Sequence, residues 1–339
     1  MIELVTIKDV AKAANVSTST VSKVINGYSN LSIETVQRVN KTIAELGFEP
    51  NITAKSMRTK KTNMIGIVVP DVDHPFFMEL FVELQREFSL SGYGCFVFST
   101  RSEEVHEMDV IKSMLLRQVD GILFSSVGWS EQITQTLIKI SERIPLVSLN
   151  RIFPHSPIKS VNIDYFEGTL RAMNFLIEKG HRRIAYISGH LGNVAGDDRL
   201  QAYRAALGRA SIPYLEELIF SGEMDIKSGY RCAREMTRLY PLPSAVVAGN
   251  DAMAIGAMKY FKEKGIRVPN DIAVIGFDNI EWCNIVDPPL TTLNPDVRII
   301  AKRVAELMLG EADDTLVLLK PELIVRGSTD IDAINVIDW

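Results

Sequence analysis

Cysteine is scarce in this chain, and the few cysteines are far apart. The 339 residues include three, Cys95, Cys232 and Cys283, and none belongs to a C-x-x-C pair. An odd number of separated thiols argues against a disulfide framework, and the five scattered histidines lack the spacing of a zinc site. We therefore expect buried structural thiols, no metal site and no cofactor.

Long apolar runs are also missing. No run reaches the length of about 18 residues that a transmembrane helix needs, so we predict no membrane partner. The N-terminal stretch MIELVTIKDVAKAANVS lacks the basic and apolar segments of a secretory signal peptide. Both features favour a cytoplasmic protein.

Common catalytic motifs are absent as well. The sequence has no G-x-S-x-G, no P-loop and no G-x-G-x-x-G after the first predicted strand. Asp71 and Asp73 form an acidic pair, but no further cluster of His, Asp or Glu lies beside them. Paired carboxylates alone leave a glycosidase possible, and turnover of a bound sugar would reveal one. We predict that the protein is not an enzyme.

Charge is divided unevenly along the chain. Residues 1–61 contain nine Lys and Arg and five Asp and Glu, a net +4; the whole chain carries −5, and the remainder therefore −9. A basic head on an acidic body indicates that the head meets a polyanion such as nucleic acid.

Residues 1–49 have the pattern of three short helices. Thr6 and Asp9 form a capping box for the first helix. The residues expected to begin or end the helices are small, polar or glycine: Thr6, Asn15, Ser17, Gly27, Ser32 and Gly47. The third helix carries an apolar stripe: Val36, Val39, Ile43 and Leu46. An all-α head is therefore predicted.

The second helix, STSTVSKVIN, presents small polar groups and a lysine on its outer face. Two helices joined by a tight turn are typical of a helix-turn-helix motif. Hydroxyls, amides and ammonium groups can reach phosphates and base edges when a helix lies in the major groove. A small solvated helical bundle is the alternative that periodicity leaves open.

From Asn63 onward, short apolar runs such as MIGIVVP, DGILFSS and DIAVIGFD alternate with helical patterns. This alternation predicts crossover units and parallel sheets. About ten strands are expected, too many for one core. The body is therefore predicted as an α/β structure of two lobes joined by several crossings.

Ligands of such sheets bind beyond the carboxyl ends of the strands. The residues that follow the predicted strands are aromatic or can form hydrogen bonds, and suit a sugar: Asp71, His74, Phe76, Phe77, Asn150, Arg151, Arg199, Asn250, Asp278 and Trp282. Phe76 or Phe77 could instead be ordinary core on an amphipathic helix. Asp251 is expected to cap the next helix rather than to touch a ligand.

The head sequence resembles the DNA-binding head of the LacI/GalR family of bacterial repressors. The shared motif, T-x-x-D-V-A-x-x-A-x-V-S-x-x-T-V-S-x-V-I-N-G, is long and specific, and the resemblance continues to about Thr329. It implies a helix-turn-helix domain (1–49), a hinge helix and linker (50–62), a two-lobed periplasmic-binding-protein type I body that binds ligand and dimerises (63–330), and a short tail (331–339).

The resemblance also implies which residues meet DNA. Major-groove readers by position are Thr18, Ser19, Ser22 and Lys23, and supporting contacts come from Thr6, Ser17, Thr20 and Asn26. Many members have Thr-Arg where this chain has Thr35-Val36, which puts one phosphate contact in doubt.

The linker PNITAKSMRTKKT is implied to form a helix when two copies pair over the minor groove. Met57, where most members have leucine, would wedge between base steps and bend the DNA. Ala54 would allow close approach, with Asn51, Lys55 and Arg58 near phosphates.

In the body, Phe76 and Phe77 match family aromatics that flank a sugar, and Asn150, Arg151, Arg199, Asn250 and Asp278 match its hydroxyl-binding groups. His74 stands where Asn is frequent and Asn150 where Asp is frequent. The implied function is a repressor of operator DNA that answers to a small molecule, most simply a sugar.

Two other functions remain open. A regulator answering to a purine or a phosphorylated protein would share the same body. A solute-binding protein for transport would not need the head, and the missing signal peptide argues against it. The tail IDAINVIDW is too short for a coiled coil, so a homodimer is favoured over a tetramer.

Overall fold

The chain divides into two units, a head (Met1–Thr62) and a body (Asn63–Trp339). The computed structural model describes residues 5–25, 27, 31–48, 61–100, 104–125, 130–189, 194–330 and 332–333. Within these residues, no helix is long and apolar enough to cross a membrane.

The described part of the head contains three helices, α1 (Ile7–Ala13), α2 (Thr18–Ile25) and α3 (Ile33–Leu46). Their predicted caps are confirmed. The Asp9 carboxylate accepts hydrogen bonds from the Thr6 N–H (2.9 Å) and hydroxyl (2.6 Å). Ser17 and Ser32 accept from the backbone N–H three residues on, at 3.1 and 3.3 Å.

Turns between the helices use left-handed backbone, as the sequence predicts. Asn15 ends the first helix region at φ +54°, and Gly47 caps α3 at φ +62°. The head core comprises Val10, Ala11, Ala14, Val21, Val39 and Phe48. Leu46 was wrongly expected in the buried stripe and is 37% exposed, because the turn at Gly47 brings Phe48 into the core instead.

The first lobe of the body is built on six parallel strands, β1 (Met64–Val69), β2 (Gly94–Ser99), β3 (Gly121–Ser125), β4 (Leu146–Leu149), β5 (Lys159–Ile163) and β11 (Leu316–Leu319). Their order is β11-β5-β4-β3-β1-β2. The helices of this lobe are α4 (Pro75–Leu90), α5 (Glu104–Leu116), α6 (Glu131–Ser141) and α12 (Val297–Leu309). Strand β3 is buried throughout, as expected for a strand covered on both faces.

The second lobe has strands β6 (Ile184–Ser188), β7 (Ile219–Ser221), β8 (Ala245–Ala248), β9 (Ala273–Phe277), β10 (Thr291–Asn294) and β12 (Glu322–Ile324). Their order is β12-β10-β9-β8-β6-β7, with β12 antiparallel. Its helices are α7 (Tyr165–Glu178), α8 (Val194–Arg209), α9 (Ile226–Met236), α10 (Asp251–Glu263), short α11 (Trp282–Ile285) and a 3-10 turn (Glu216–Leu218).

The chain passes between the lobes after β5, after β10 and after β11, which confirms the predicted crossings. The two lobes therefore cannot fold as independent chain segments. The described residues hold twelve strands where about ten were expected. Cys232 and Cys283 are buried and Cys95 is half-buried, and all three thiols are free. No group of three or more potential metal ligands occurs among the described residues.

Candidate DNA interface and ligand cleft

The outer face of α2 is the candidate DNA interface of the head. Thr18, Ser19 and Lys23 are exposed on this helix, and Thr20 and Ser22 are half-buried. Val21, on the opposite side, is fully buried in the head core. The buried face thus leaves a polar, positively charged face on the solvent side.

Ser17 has a structural role within the head. Besides capping α2, its hydroxyl lies 2.7 Å from the Ser19 hydroxyl and 2.9 Å from that of Thr20. Thr6 is likewise engaged with Asp9. The other predicted DNA contacts lie outside the described residues: Asn26, Asn51, Ala54, Lys55, Met57 and Arg58.

Between the lobes, the carboxyl ends of strands gather four of the predicted ligand residues. His74 of the first lobe lies with its Nε2 2.8 Å from the Asn250 amide nitrogen of the second lobe. The same Nε2 is 3.9 Å from an oxygen of Asp278. Arg199 lies close enough for its positive charge to lower the pKa of both His74 and Asp278. These residues define a cleft lined by both lobes.

Asn250 caps α10, which corrects the expectation that Asp251 does so. The Asn250 Oδ1 accepts from the Met253 N–H at 3.0 Å, and its Nδ2 donates to the Met224 carbonyl at 2.9 Å. These two bonds orient the amide, so its nitrogen faces His74. An amide nitrogen only donates, and the His74 Nε2 must therefore accept.

His74 is accordingly neutral, with its proton on Nδ1. Burial lowers the pKa of this imidazole to about 4, and the positive charge of Arg199 acts in the same direction while Asp71 opposes it. The lobes are thus joined here by one neutral hydrogen bond.

Arg199 lies against two aromatic rings that also contact each other, with their centroids 5.4 Å apart. Its guanidinium carbon lies 4.0 Å from the Tyr165 ring centroid and 4.7 Å from that of Phe277. One nitrogen donates to the Ala195 carbonyl at 3.3 Å. Such cation–π contacts hold the guanidinium in place.

Tyr165 links this stack to Asn150 and was missed from the sequence. Asn150 Nδ2 donates to the Tyr165 hydroxyl at 2.9 Å, and its Oδ1 accepts from the Ile163 N–H at 2.9 Å. Burial raises the pKa of Tyr165 to about 12, so the hydroxyl stays protonated. The available signal was its position directly beyond β5, the same rule that selected Asn150.

Asp278 provides the carboxyl group of the cleft. It is almost fully buried, and its backbone N–H donates to Leu293 at 2.8 Å. Burial raises the pKa of this carboxyl well above its ordinary value, and the charge of Asp251 adds to the rise while Arg199 opposes it.

Several predicted ligand residues lie elsewhere. Phe76 is only 4% exposed and belongs to the lobe core, which favours the alternative of ordinary core. Phe77 is half-buried and edge-on to His74. Arg151 stacks on Phe153 with its guanidinium carbon 4.6 Å from the ring centroid.

The remaining two are open to solvent. Asp71 is exposed and accepts from the Asp73 N–H at 3.0 Å. Trp282 is 41% exposed on α11. The cleft therefore offers one carboxyl, two amides, a guanidinium, an imidazole and two buried rings, a set suited to a neutral molecule rich in hydroxyls.

Comparison with known proteins agrees with this architecture. Residues 6–51 match the model of bacterial regulatory proteins of the lacI family, and residues 173–329 match a periplasmic binding protein-like domain. The HTH-type transcriptional repressor PurR of Mannheimia succiniciproducens is 32% identical over 331 residues, covering 96% of this chain and 98% of the relative.

Solved structures are similar over the same length. The lac repressor dimer bound to operator and the anti-inducer ONPF has a TM-score of 0.87 at 28% identity, over 96% of this chain and 99% of that chain. The complex of the transcriptional regulator CelR with cellobiose has a TM-score of 0.71 at 30% identity, over 96% and 99%. With its helix-turn-helix head and two-lobed body, the chain belongs to the LacI family of bacterial regulatory proteins, which are DNA-binding repressors rather than enzymes.

Proposed function

We propose that this protein is a cytoplasmic, homodimeric repressor whose operator affinity is controlled by a neutral sugar bound between the lobes of its body. The observation that carries the proposal is the set of hydrogen-bonding groups that both lobes contribute to one cleft. His74 and Asn150 come from the first lobe, and Arg199, Asn250 and Asp278 from the second. The similar regulator bound to cellobiose supports a sugar.

The chemistry of these groups fits vicinal hydroxyls. A hydroxyl donates to the Asp278 carboxylate and accepts from the Arg199 guanidinium, and two neighbouring hydroxyls can use both residues at once. The rings of Tyr165 and Phe277 hold the guanidinium in place. A purine, the alternative effector, would instead need a paired donor and acceptor for its ring nitrogens.

A ligand that touches both lobes can change their arrangement. It shifts the equilibrium only by the difference in its affinity for the two arrangements. Because the coupling is reciprocal, operator DNA must change effector affinity by the same factor. The first bond in competition with the ligand is that between His74 and Asn250, since it uses an Asn250 N–H that the effector would need.

On the DNA side, each head would place α2 in the major groove through Thr18, Ser19, Ser22 and Lys23, with Met57 of the hinge at the minor groove. Two heads require two subunits. Exposed apolar residues of α4 and of the adjacent edge strand β2 would form part of the dimer contact: Met78, Val82, Phe96 and Val97. The similar lac repressor structure is a dimer.

The proposal is tested in two steps. A thermal-shift panel of mono- and disaccharides and purine bases identifies what binds the full-length protein. An operator selected from random duplexes is then titrated with and without that compound, by fluorescence anisotropy. We expect a sugar to stabilise the protein and to change operator affinity at least about fivefold. A panel in which only purines bind, or a sugar that leaves operator affinity unchanged, would contradict the proposal.

A further inference from the structure

We infer that Asp251 is a positioning residue that holds the loop of residues 278–280 in the shape that presents Asp278 to the effector. The inference deepens the proposed function and rests on it for the existence of a sugar effector in this cleft. Asp251 is fully buried behind the cleft at the start of α10, one residue after Asn250. It does not face the cleft itself, so its role is exerted through the loop.

Both oxygens of the Asp251 carboxyl accept hydrogen bonds that hold this loop, one directly and one through Thr292 of β10. Oδ2 accepts from the Ile280 N–H at 3.0 Å, and Oδ1 accepts from the Thr292 hydroxyl at 2.5 Å. The thiol of buried Cys283 also hydrogen-bonds to the carboxyl. Three donors from two segments, residues 280–283 and strand β10, therefore meet at a single side chain.

The loop needs such support because its backbone is unfavourable. Asp278 has φ +110° and Asn279 has φ +56°, so two consecutive non-glycine residues have positive φ. Positive φ is unfavourable for a residue with a side chain, and it persists only when the surroundings enforce it. The Asp251–Ile280 bond comes directly after the strained pair and closes it.

The packing behind the loop is built around this carboxyl. A Cβ at Gly276 of β9 would lie 2.1 Å from the Asp251 Oδ1, so any residue other than glycine would clash with the carboxyl. The Thr292 hydroxyl that bonds Asp251 also accepts from the Asn279 N–H at 3.4 Å. Strand β9, strand β10 and helix α10 are therefore joined at one point beneath Asp278.

The charge of Asp251 also affects the ionisation of Asp278. The groups that act on Asp278 are Arg199 of α8, Asp251 of α10, Glu79 of α4 and His74 before α4. Burial raises the pKa of Asp251 itself to about 7, against the hydrogen bonds from Thr292, Cys283 and Ile280 and the charge of Arg326. The Asp251 charge raises the pKa of Asp278, so its removal should ease ionisation of Asp278.

The test uses full-length Asp251→Asn with the sugar from the panel that stabilises the wild type most. Asparagine keeps the size but loses one acceptor and the charge. We expect sugar affinity by calorimetry to fall at least about tenfold, and operator affinity without sugar to stay within about twofold. The pH at which sugar binding is half-lost should move downward, which loss of packing alone would not cause.

Two further variants keep the test decisive. Thr292→Val removes the hydroxyl that bonds Asp251 and should also weaken sugar binding. It serves as the test if Asp251→Asn folds poorly. Ser328→Ala is the matched control, because Ser328 is equally buried and hydrogen-bonded to β9 and β10 but does not touch residues 278–280. It should lower stability without changing sugar affinity.

Hydrogen exchange separates this inference from the proposed function. The peptide covering residues 277–283 should exchange faster in Asp251→Asn and not in Ser328→Ala, whether or not any sugar binds. A wild type that binds no sugar refutes the proposed function alone. Unchanged exchange of this peptide, or wild-type sugar affinity and pH profile in Asp251→Asn, refutes the positioning role.

Discussion

Single side chains decide what the cleft can bind, because neighbouring residues hold each of them in one orientation. Arg199 is held against Tyr165 and Phe277, and Asn250 is oriented by the Met253 N–H and the Met224 carbonyl. A ligand therefore meets groups whose ordering entropy has already been lost on folding.

Replacing Arg199 by lysine tests the value of that planar group. Lysine keeps the charge but cannot stack on two rings or donate as a fork, so we expect sugar affinity to fall at least about tenfold. Arg204→Lys is the matched control, since Arg204 lies on the same helix with its guanidinium carbon 4.8 Å from the half-buried Tyr214 ring. Calorimetric titration of both variants measures the difference; equal affinity in the two would contradict a ligand role for Arg199.

Acidification should destabilise the body through His74. The pKa of this imidazole is about 4 in the folded protein, against 6.5 ordinarily. Between these values only the unfolded chain binds the proton, so stability present above pH 6.5 is lost as the pH falls towards 4, by roughly 3 kcal/mol at most.

His74→Asn should remove that part of the pH dependence. Urea unfolding of wild type and variant at about pH 7 and about pH 4.5 measures it. His155→Asn, a change at an exposed loop histidine, should keep the wild-type dependence. If His74→Asn loses as much stability on acidification as the wild type, the assignment to His74 is wrong.

At the scale of elements, helix ends and strand ends set the geometry. In the head, Ser32 begins α3 and Gly47 ends it, and the turn at Gly47 brings Phe48 into the core. In the body, the carboxyl ends of β4, β8 and β9 place Asn150, Asn250 and Asp278 around one cleft.

Gly47→Ala should destabilise the head by about 1 kcal/mol. No atom lies within 4 Å of an added Cβ, so the cost is the left-handed backbone at φ +62°. Gly208→Ala, in α8 with equally open space and no positive φ, should instead stabilise the body by up to about 1 kcal/mol through helix propensity. Hydrogen exchange of α3 and α8 in the full-length variants measures both. The same sign at both positions would contradict the backbone argument.

The whole molecule combines a basic head with an acidic body, and its action on DNA needs two copies. Neutralising phosphates with the head releases counterions, so operator affinity should fall steeply with salt. Apolar residues exposed on α4 and the edge strand β2 are the surface that a second subunit would cover in the proposed dimer.

Val82→Lys should weaken the dimer and, with it, operator binding. A charge in a buried apolar contact raises the free energy of the dimer, and a lone head contacts only one half-site. Sedimentation velocity should show more monomer at the same concentration. Leu116→Lys, an equally drastic change on α5 at a residue that is 84% exposed, should leave the sedimentation unchanged. A fully dimeric Val82→Lys protein would exclude this face.

Met57 lies outside the described residues, and its role stays a prediction. If it wedges between central base steps, Met57→Ala should weaken operator binding about tenfold or more and nonspecific binding far less. Met57→Leu is the matched control and should keep or tighten operator binding. Anisotropy titrations with operator and random duplex compare them. Equal losses on both DNAs would make Met57 an ordinary linker residue.

Local patterns in the sequence were enough for the helix caps, the alternation of strands and helices, and the gathering of His74, Asn150, Asn250 and Asp278. Caps depend on residues a few positions apart, and strand ends in a parallel sheet share one edge by topology. Four short strands, β7, β10, β11 and β12, were not located from the sequence, because three or four residues carry too little periodicity.

Only the tertiary structure decided which predicted residues face the cleft and which residues support them. Both depend on the direction of a side chain and on its neighbours in space. Phe76 turns into the core and Arg151 onto Phe153, although both follow strands as the ligand residues do. Tyr165 reaches Asn150 only because the chain changes lobe at that point. Asp251 is bonded to residues 29 and 41 positions away, beyond the reach of any local pattern.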